Sequence, residues 1–176
     1  MTSGIRAATP ADADGIALVH VQSWQSAYRG LIAQEHLDQL DVARRAQGWT
    51  RSLTGSDPSL EATLVTVTDE QVTGFAGVGP SRDPDADPAR TGEVCAIYLL
   101  PQAWGQGLGR DLMTAALARL ADLGYQVATL WVLKDNARAR RFYEAAGFTT
   151  DGSEQTVDIA GSPIDEVRYH RILGSL

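Results

Sequence analysis

Cysteine and lysine are nearly absent from this 176-residue sequence, which contains one of each, Cys95 and Lys134. A single cysteine excludes an internal disulfide framework. Together with three widely separated histidines it also gives no spacing typical of a metal site, so we expect no metal. Because Lys134 is the only lysine, the Gly-Lys-Ser/Thr sequence of a nucleoside-triphosphate loop is missing.

The sequence also lacks a hydrophobic run long enough to span a membrane, and no basic segment followed by an apolar run begins the chain. We therefore expect a cytoplasmic protein with no membrane partner. The formal net charge of -7 argues against a nucleic-acid partner. The length suits one hydrophobic core, so we expect a single domain over residues 1–176, with a homodimer left open.

The rest of the sequence alternates between strand and helix patterns. A short strand precedes Thr9, the predicted N-cap of a first helix, and two short helices follow. Two hairpin strands come next, and glycines in the second weaken it or mark a bulge. After a Pro- and Asp-rich loop at residues 81–90 we expect strand, helix, strand, helix and two final strands, the last helix capped at Asp135 or Asn136 and ended at Gly147. This order predicts a mixed α/β sheet with a crossover helix at its middle.

Residues 99–112 read LLPQAWGQGLGRDL and place Gly105, Gly107 and Gly109 where a strand gives way to a helix. One interpretation is a flexible turn. The other is an anion cradle, in which the missing side chains let backbone N–H groups at a helix start approach phosphate oxygens. The dinucleotide-binding pattern Gly-x-Gly-x-x-Gly fits poorly, because the spacing here is Gly-x-Gly-x-Gly.

Two motifs decide between these interpretations. The segment IYLLPQAWGQGLG resembles the main motif of the GNAT superfamily of acetyl-CoA-dependent N-acetyltransferases, and NARARRFYEAAGF, Asn136 to Phe148, resembles its second motif. One departure is Trp104, which stands where the family usually has Arg or Gln. The resemblance implies a mixed, mostly antiparallel central sheet with a parallel splayed pair at the cofactor site, flanked by helices. It also implies acetyl-CoA as co-substrate.

The resemblance further implies which residues hold coenzyme A. They are Ile97, Leu99, Gln106, Gly107, Leu108, Gly109, Arg110, Asn136 and Tyr143. In this arrangement the amides of the glycine turn wrap the pyrophosphate, and the Leu99 amide donates to the thioester carbonyl as an oxyanion stabiliser. The side chains of Ile97 and Leu99 are expected in the sheet core, and Asn136 can be both a helix cap and a coenzyme A ligand.

The same resemblance implies that Tyr143 protonates the departing thiolate, the alternative being a core aromatic. For the base we consider Glu93, because strand alternation places it on the face of Cys95, Ile97 and Leu99. The alternative is that Glu93 is only an exposed strand-edge carboxylate. A water chain would then serve as the base. Cys95 is disfavoured as a nucleophile, since no His and Asp/Asn pair is placed to activate it.

In the family the first helices floor the acceptor groove, so the resemblance implies substrate contacts from Trp24, Tyr28 and Arg29, with Trp24 favoured as core and Tyr28 as pocket wall. The expected function is acetyl transfer to a primary amine of a small molecule or protein. Acidic residues around the loop before the central strand suggest a cationic amine, unless they serve only solubility: Asp83, Asp85, Asp87 and Glu93. A non-catalytic acyl-CoA sensor is the alternative function, and a nucleotide-binding oxidoreductase is disfavoured by the glycine spacing.

Overall fold

The computed structural model describes residues 3–174 as one mixed sheet with helices on both faces. The strands are β1 Ser3–Ala7, β2 Ala62–Thr68, β3 Gln71–Pro80, β4 Thr91–Leu99, β5 Val127–Leu133, β6 Thr149–Ile159 and β7 Ser162–Ile172. The α-helices are α1 Ala13–Ala27, α2 Gln34–Asp38, α3 Val42–Gly55, α4 Leu108–Asp122 and α5 Ala137–Ala145. Their order along the chain is the predicted one.

The seven strands lie in the order β1-β2-β3-β4-β5-β7-β6. Every neighbouring pair is antiparallel except β4 and β5, which are parallel and joined through α4. The predicted mixed sheet with a crossover helix at its middle is therefore confirmed. The apolar strand β4 occupies the centre of the sheet, as its burial on both faces requires.

The parallel pairing of β4 with β5 is short. It comprises three residue pairs and ends where Glu93 faces Thr129, so the remainder of β4 has no ladder with β5. On its other edge β4 pairs with β3 through a bulge: Val94 faces Val78 and Ala96 faces Gly77, which leaves Cys95 as the extra residue. The splayed pair is confirmed, and it opens a gap in the middle of the sheet.

Two apolar layers bury the two faces of the sheet. On one face Leu112 and Leu120 of α4 pack with Val94 of β4, and the α5 residue Phe142 packs at the margin of this cluster. On the other face Ile16 of α1 packs against Phe75 of β3. Burial of each such side chain contributes roughly 1.5–3 kcal/mol. Among residues 3–174, no helix is long and apolar enough to cross a membrane.

Most predicted boundaries are confirmed, with two differences near the N-terminus. Thr9 precedes a short 3-10 turn, Pro10–Asp12, which runs into α1, so the α-helix begins later than predicted. Of the two helices predicted as short, α3 has 14 residues; it begins after Asp41, whose side chain accepts from the Arg44 amide. Asn136 rather than Asp135 caps α5, accepting from the Ala139 amide at 3.1 Å.

Candidate active site

Two cavities open beside β4 where it leaves β5. We call the one of about 370 Å³ the glycine cleft, because Gly105, Gly107 and Gly109 line it. The other, of about 440 Å³, we call the aromatic cavity, after Trp24, Tyr28, Tyr98 and Trp131 in its wall. The two cavities share six lining residues: Tyr28, Ile97, Tyr98, Asn136, Ala139 and Tyr143. They therefore meet at the gap between the splayed strands.

The glycine cleft ends at the start of α4. Gly107 is the N-cap of this helix and has φ of 83°, a left-handed conformation that glycine adopts without strain. No side chain caps the helix start, and the first amides of a helix have no carbonyl one turn earlier to accept from them. The amides of Leu108, Gly109 and Arg110 are thus available to an anion, and the helix dipole favours negative charge there.

Trp104 fixes the turn between β4 and α4. Its indole Nε1–H donates to the Leu99 carbonyl at 3.0 Å, and the Arg138 guanidinium carbon stacks 3.9 Å from its ring centroid. The residue that departs from the family pattern therefore ties the turn to the end of β4 and holds a cation beside the glycine cleft. Arg138 was not singled out from the sequence, although it lies inside the second motif.

The free edge of β4 faces the glycine cleft. The Leu100 amide donates to the Thr73 carbonyl at 2.8 Å, so alternate residues direct their backbone groups to β3. The intervening Ile97 and Leu99 consequently direct their N–H and C=O groups to the side from which β5 has diverged. Their side chains pack against the α4 core, as expected.

The aromatic cavity is walled by stacked and edge-on rings. The Tyr28 and Tyr98 hydroxyls are 3.2 Å apart, and the rings of Trp24 and Tyr28 meet edge to face with centroids 5.0 Å apart. Tyr28 is a pocket wall, as predicted, whereas Trp24 lines the cavity as well as packing beside the core. The Trp24 indole nitrogen is buried and has no hydrogen-bond partner within residues 3–174.

Some predicted site residues lie away from the cavities. Arg29 is exposed and lines neither of them, and the side chains of Gln106 and Leu108 are also absent from both walls. Gln106 instead donates through Nε2 to the Gln102 carbonyl at 2.7 Å. Asn136 lines both cavities in addition to capping α5, so the structure brings it to the site.

Glu93 lies in the wall of the aromatic cavity and is bound by Arg82. The Arg82 Nη2 donates to Oε1 at 2.6 Å, while its Nε and its backbone amide donate to Oε2 at 3.2 and 3.1 Å. Glu93 is therefore not the exposed strand-edge carboxylate considered as an alternative; it is 2% exposed.

The argument that placed Glu93 on the face of Ile97 and Leu99 was wrong. Val94 and Ile97 both pack on the α4 side, although they are three residues apart, because the bulge at Cys95 shifts the alternation by one. Glu93 consequently shares the opposite face with Tyr98. Strand parity alone could not reveal this, since nothing in the β4 sequence marks the extra residue.

Tyr143 stands where the two cavities meet. Burial raises the pKa of its hydroxyl above the usual value, with a smaller contribution from Tyr98, so the group stays protonated at neutral pH. Within residues 3–174 no other group hydrogen-bonds this hydroxyl. It is therefore a proton donor that remains available to a ligand.

The structure gives Cys95 no means of activation. Cys95 is exposed, yet desolvation by the neighbouring protein and, next, the Glu93 carboxylate raise the pKa of its thiol to about 11, so the thiolate is scarce at neutral pH. The half-buried His20 stacks on Tyr98, and desolvation lowers its pKa to about 4. No group of three or more His, Cys, Asp or Glu in the described chain is arranged to hold a metal ion.

The loop at residues 81–90 covers one end of the aromatic cavity and is held there by Arg168. Arg168 binds Asp85 at 2.7 Å, Asp83 at 3.1 Å and Asp151 at 2.7 Å. Trp131 Nε1–H donates to Asp83 at 2.8 Å. These wall and loop contacts join segments distant in the sequence, which is why sequence patterns did not identify Tyr98, Trp131, Arg82 or Glu166 as site residues.

Comparisons with known proteins agree with this geometry. The model of the Acetyltransferase (GNAT) family matches residues 21–148. YuaI of Bacillus subtilis strain 168, named an uncharacterized N-acetyltransferase, is 32% identical over 93% of this chain and 89% of its own length.

Two solved structures share the fold. YncA from Salmonella typhimurium with acetyl-CoA has a TM-score of 0.74 at 22% identity, covering 100% of this chain and 96% of its own. PaiA N-acetyltransferase from Thermoplasma acidophilum with coenzyme A has a TM-score of 0.72 at 20% identity, covering 98% of this chain and 99% of its own. With this fold, the glycine turn at the start of α4 and a family match spanning both motifs, the chain belongs to the GNAT acetyltransferase family.

Proposed function

We propose that this chain transfers the acetyl group of acetyl-CoA to a primary amine by direct attack within a ternary complex. The observation that carries the proposal is the meeting of two cavities at Tyr143. One cavity offers free amides to an anion, and the other offers a separate aromatic chamber. A thioester reaching the gap from one side would meet an amine arriving from the other.

Acetyl-CoA fits the residues of the glycine cleft. We assign the pyrophosphate to the amides from Gln106 to Arg110, supported by the left-handed Gly107 and the uncapped start of α4. The pantetheine arm would extend β4 as an added strand on the backbone groups of Ile97 and the N–H of Leu99, whose carbonyl already accepts from Trp104. Asn136 completes the wall. The fold neighbours solved with coenzyme A and acetyl-CoA support this assignment.

In the proposed reaction the amine lone pair attacks the thioester carbonyl carbon, the carbon–sulfur bond breaks, and an amide and the free thiol of coenzyme A result. The Leu99 amide, which faces the cleft, would donate to the carbonyl oxygen as it gains negative charge. Tyr143 would protonate the departing sulfur, and its raised pKa keeps the required proton in place.

The acceptor ammonium must lose a proton before it attacks. We propose that Glu93, in the wall of the aromatic cavity, receives this proton directly or through water. Arg82 orients the carboxylate by donating to both of its oxygens. Trp24 and Tyr28 would contact the acceptor, whereas the exposed Arg29 would meet only a large one, such as a protein.

The test is release of free thiol from acetyl-CoA in the presence of a panel of primary amines, with the acetylated product identified by mass spectrometry. Amine-dependent thiol release supports transfer. A non-catalytic acyl-CoA sensor would raise its melting temperature with acetyl-CoA, since native-state ligands stabilise the fold, yet release no thiol with any amine.

A further inference from the structure

Glu166 is a carboxylate in the wall of the aromatic cavity that has no cationic partner within residues 3–174. Its one hydrogen bond there comes from Gln155, whose Nε2 donates to Glu166 Oε2 at 2.8 Å. A carboxylate accepts several hydrogen bonds, so most of the capacity of Glu166 is unused. None of the reaction steps described above requires this residue.

The sheet register points Glu166 into the site. Glu166 lies opposite Leu133 on β5 and opposite Gln155 on β6, so the three side chains share one face. Leu133 packs in a cluster with Tyr28 on that face. Burial raises the pKa of Tyr28, and both Tyr143 and Glu166 add to the rise, so Tyr28 lies within electrostatic reach of both.

The negative charge of Glu166 is not balanced by the other charged side chains in the cavity wall. The charged side chains in the wall are Arg82, Asp83, Glu93 and Glu166. Arg82 neutralises Glu93, and Asp83 is bound by Arg168 from behind the wall. Arg45 lies 5.8 Å from the Trp24 ring centroid but does not line the cavity. The wall therefore carries one positive and three negative charges, and Glu166 is the one of the three carboxylates that no cation among residues 3–174 binds.

We propose that Glu166 binds a second, positively charged group of the acceptor, so that the preferred substrate is an amine with a cation at its other end. This inference rests on the proposed acetyl transfer and names its substrate class. The four aromatic rings suit the same ligand, because ring faces attract cations and the hydrocarbon segment between the charges would be buried against them. The acidic loop residues Asp83 and Asp85, which suggested a cationic amine from the sequence, are engaged by Arg168 instead.

The test uses three acceptors of equal chain length with different ends: 1,4-diaminobutane, 1-aminobutane and 4-aminobutanoate. Each is repeated with chains of three to six carbons, because the distance between the reacting amine and Glu166 is unknown. Binding is measured by calorimetry on protein saturated with coenzyme A, and transfer is measured separately as thiol release from acetyl-CoA. Glu166→Gln keeps the shape and the acceptor oxygen for Gln155 while removing the charge. Glu154→Gln is the control, since Glu154 is exposed on β6 and pairs with Lys134 outside the cavity.

We expect the unmodified protein to bind the diamine at least about tenfold more tightly than the monoamine. In Glu166→Gln the diamine should lose roughly ten- to a hundredfold in affinity while the monoamine is unchanged, and Glu154→Gln should alter neither. Equal binding of all three probes, or an equal loss for all three in Glu166→Gln, would overturn the inference.

The two readouts separate this inference from the proposed function. Glu166-dependent diamine binding without thiol release would support the cation site and contradict acetyl transfer. Thiol release with 1-aminobutane but not with any diamine would support transfer and overturn the role of Glu166.

Discussion

The Arg82 guanidinium binds the Glu93 carboxylate from the solvent side, with 2.6 Å between Nη2 and Oε1. The side chain of Glu93 is 3% exposed and that of Arg82 is 72% exposed. The pair therefore joins a buried carboxylate on the central strand to an exposed arginine of the 81–90 loop through a bidentate contact. Removing the cation would leave a buried charge without compensation, which is more costly than losing an exposed pair.

Substitution of Glu93 tests whether it accepts the amine proton. Glu93→Gln retains an acceptor oxygen for Arg82 but cannot take a proton, so we expect kcat to fall by about 10²-fold while the Kd for acetyl-CoA stays unchanged. Glu61→Gln, on the short segment before β2, is a control expected to retain activity. Full activity of Glu93→Gln would instead assign deprotonation to water.

Gly107 provides a test of the anion cradle. Because its φ is 83°, Gly107→Ala strains the turn by roughly 1–2 kcal/mol, and the added Cβ meets only Arg110 at 3.8 Å. Gly124→Ala is a matched control: φ there is 92°, the added Cβ contacts nothing, and the site is at the far end of α4. Both variants should lose similar stability in thermal melts.

The Gly107→Ala and Gly124→Ala variants should differ in their affinity for coenzyme A. We expect Gly107→Ala to weaken binding by at least about tenfold in calorimetry, because the turn must keep its amides aimed at the phosphates. Gly124→Ala should bind normally. Equal affinities in the two variants would remove the glycine turn from the binding site.

The order of elements was predictable because each carries a local signal. Thr9, Asn136 and Gly147 mark helix ends through capping and left-handed backbone, and these depend on residues close in sequence. The parallel placement of β4 and β5 followed from the right-handed crossover.

The aromatic cavity was predicted only in part. The second motif identified Tyr143, but Glu166 and Tyr98 acquire their place through pairing of strands far apart in sequence. The face of Glu93 depended on the bulge at Cys95, which arises from the register between two strands rather than from either one. Such features have no signature in a local pattern.

The ion pair between Arg6 and Asp12 predicts an acid-sensitive component of stability. The Arg6 hydrogen bonds, at 2.7 and 2.8 Å, lower the pKa of Asp12 from its usual 3.8 to about 2. A lowered pKa adds stability that is complete above the unfolded value and is lost as pH falls from about 4 towards 2. Since Arg6 is half exposed, we expect about 1–2 kcal/mol after screening.

Asp12→Asn should therefore melt a few degrees lower than the parent at pH 7, and the difference should shrink as pH approaches 2. Asp14→Asn, an exposed substitution two residues away, serves as the control and should change the melting temperature little. A gap between parent and Asp12→Asn that stays constant with pH would show that packing, not charge, carries the contribution.

Removal of the Tyr143 hydroxyl tests the proposed acid. Tyr143→Phe keeps the ring against Phe142 and Phe148, so the fold and the acetyl-CoA Kd should be preserved while kcat falls by about 10²-fold. Because burial raises the pKa of this hydroxyl, the parent should keep its rate at alkaline pH, where the amine is deprotonated. Tyr125→Phe is the control, since its hydroxyl donates to the Leu60 carbonyl away from both cavities. Undiminished kcat in Tyr143→Phe would reduce Tyr143 to a packing residue.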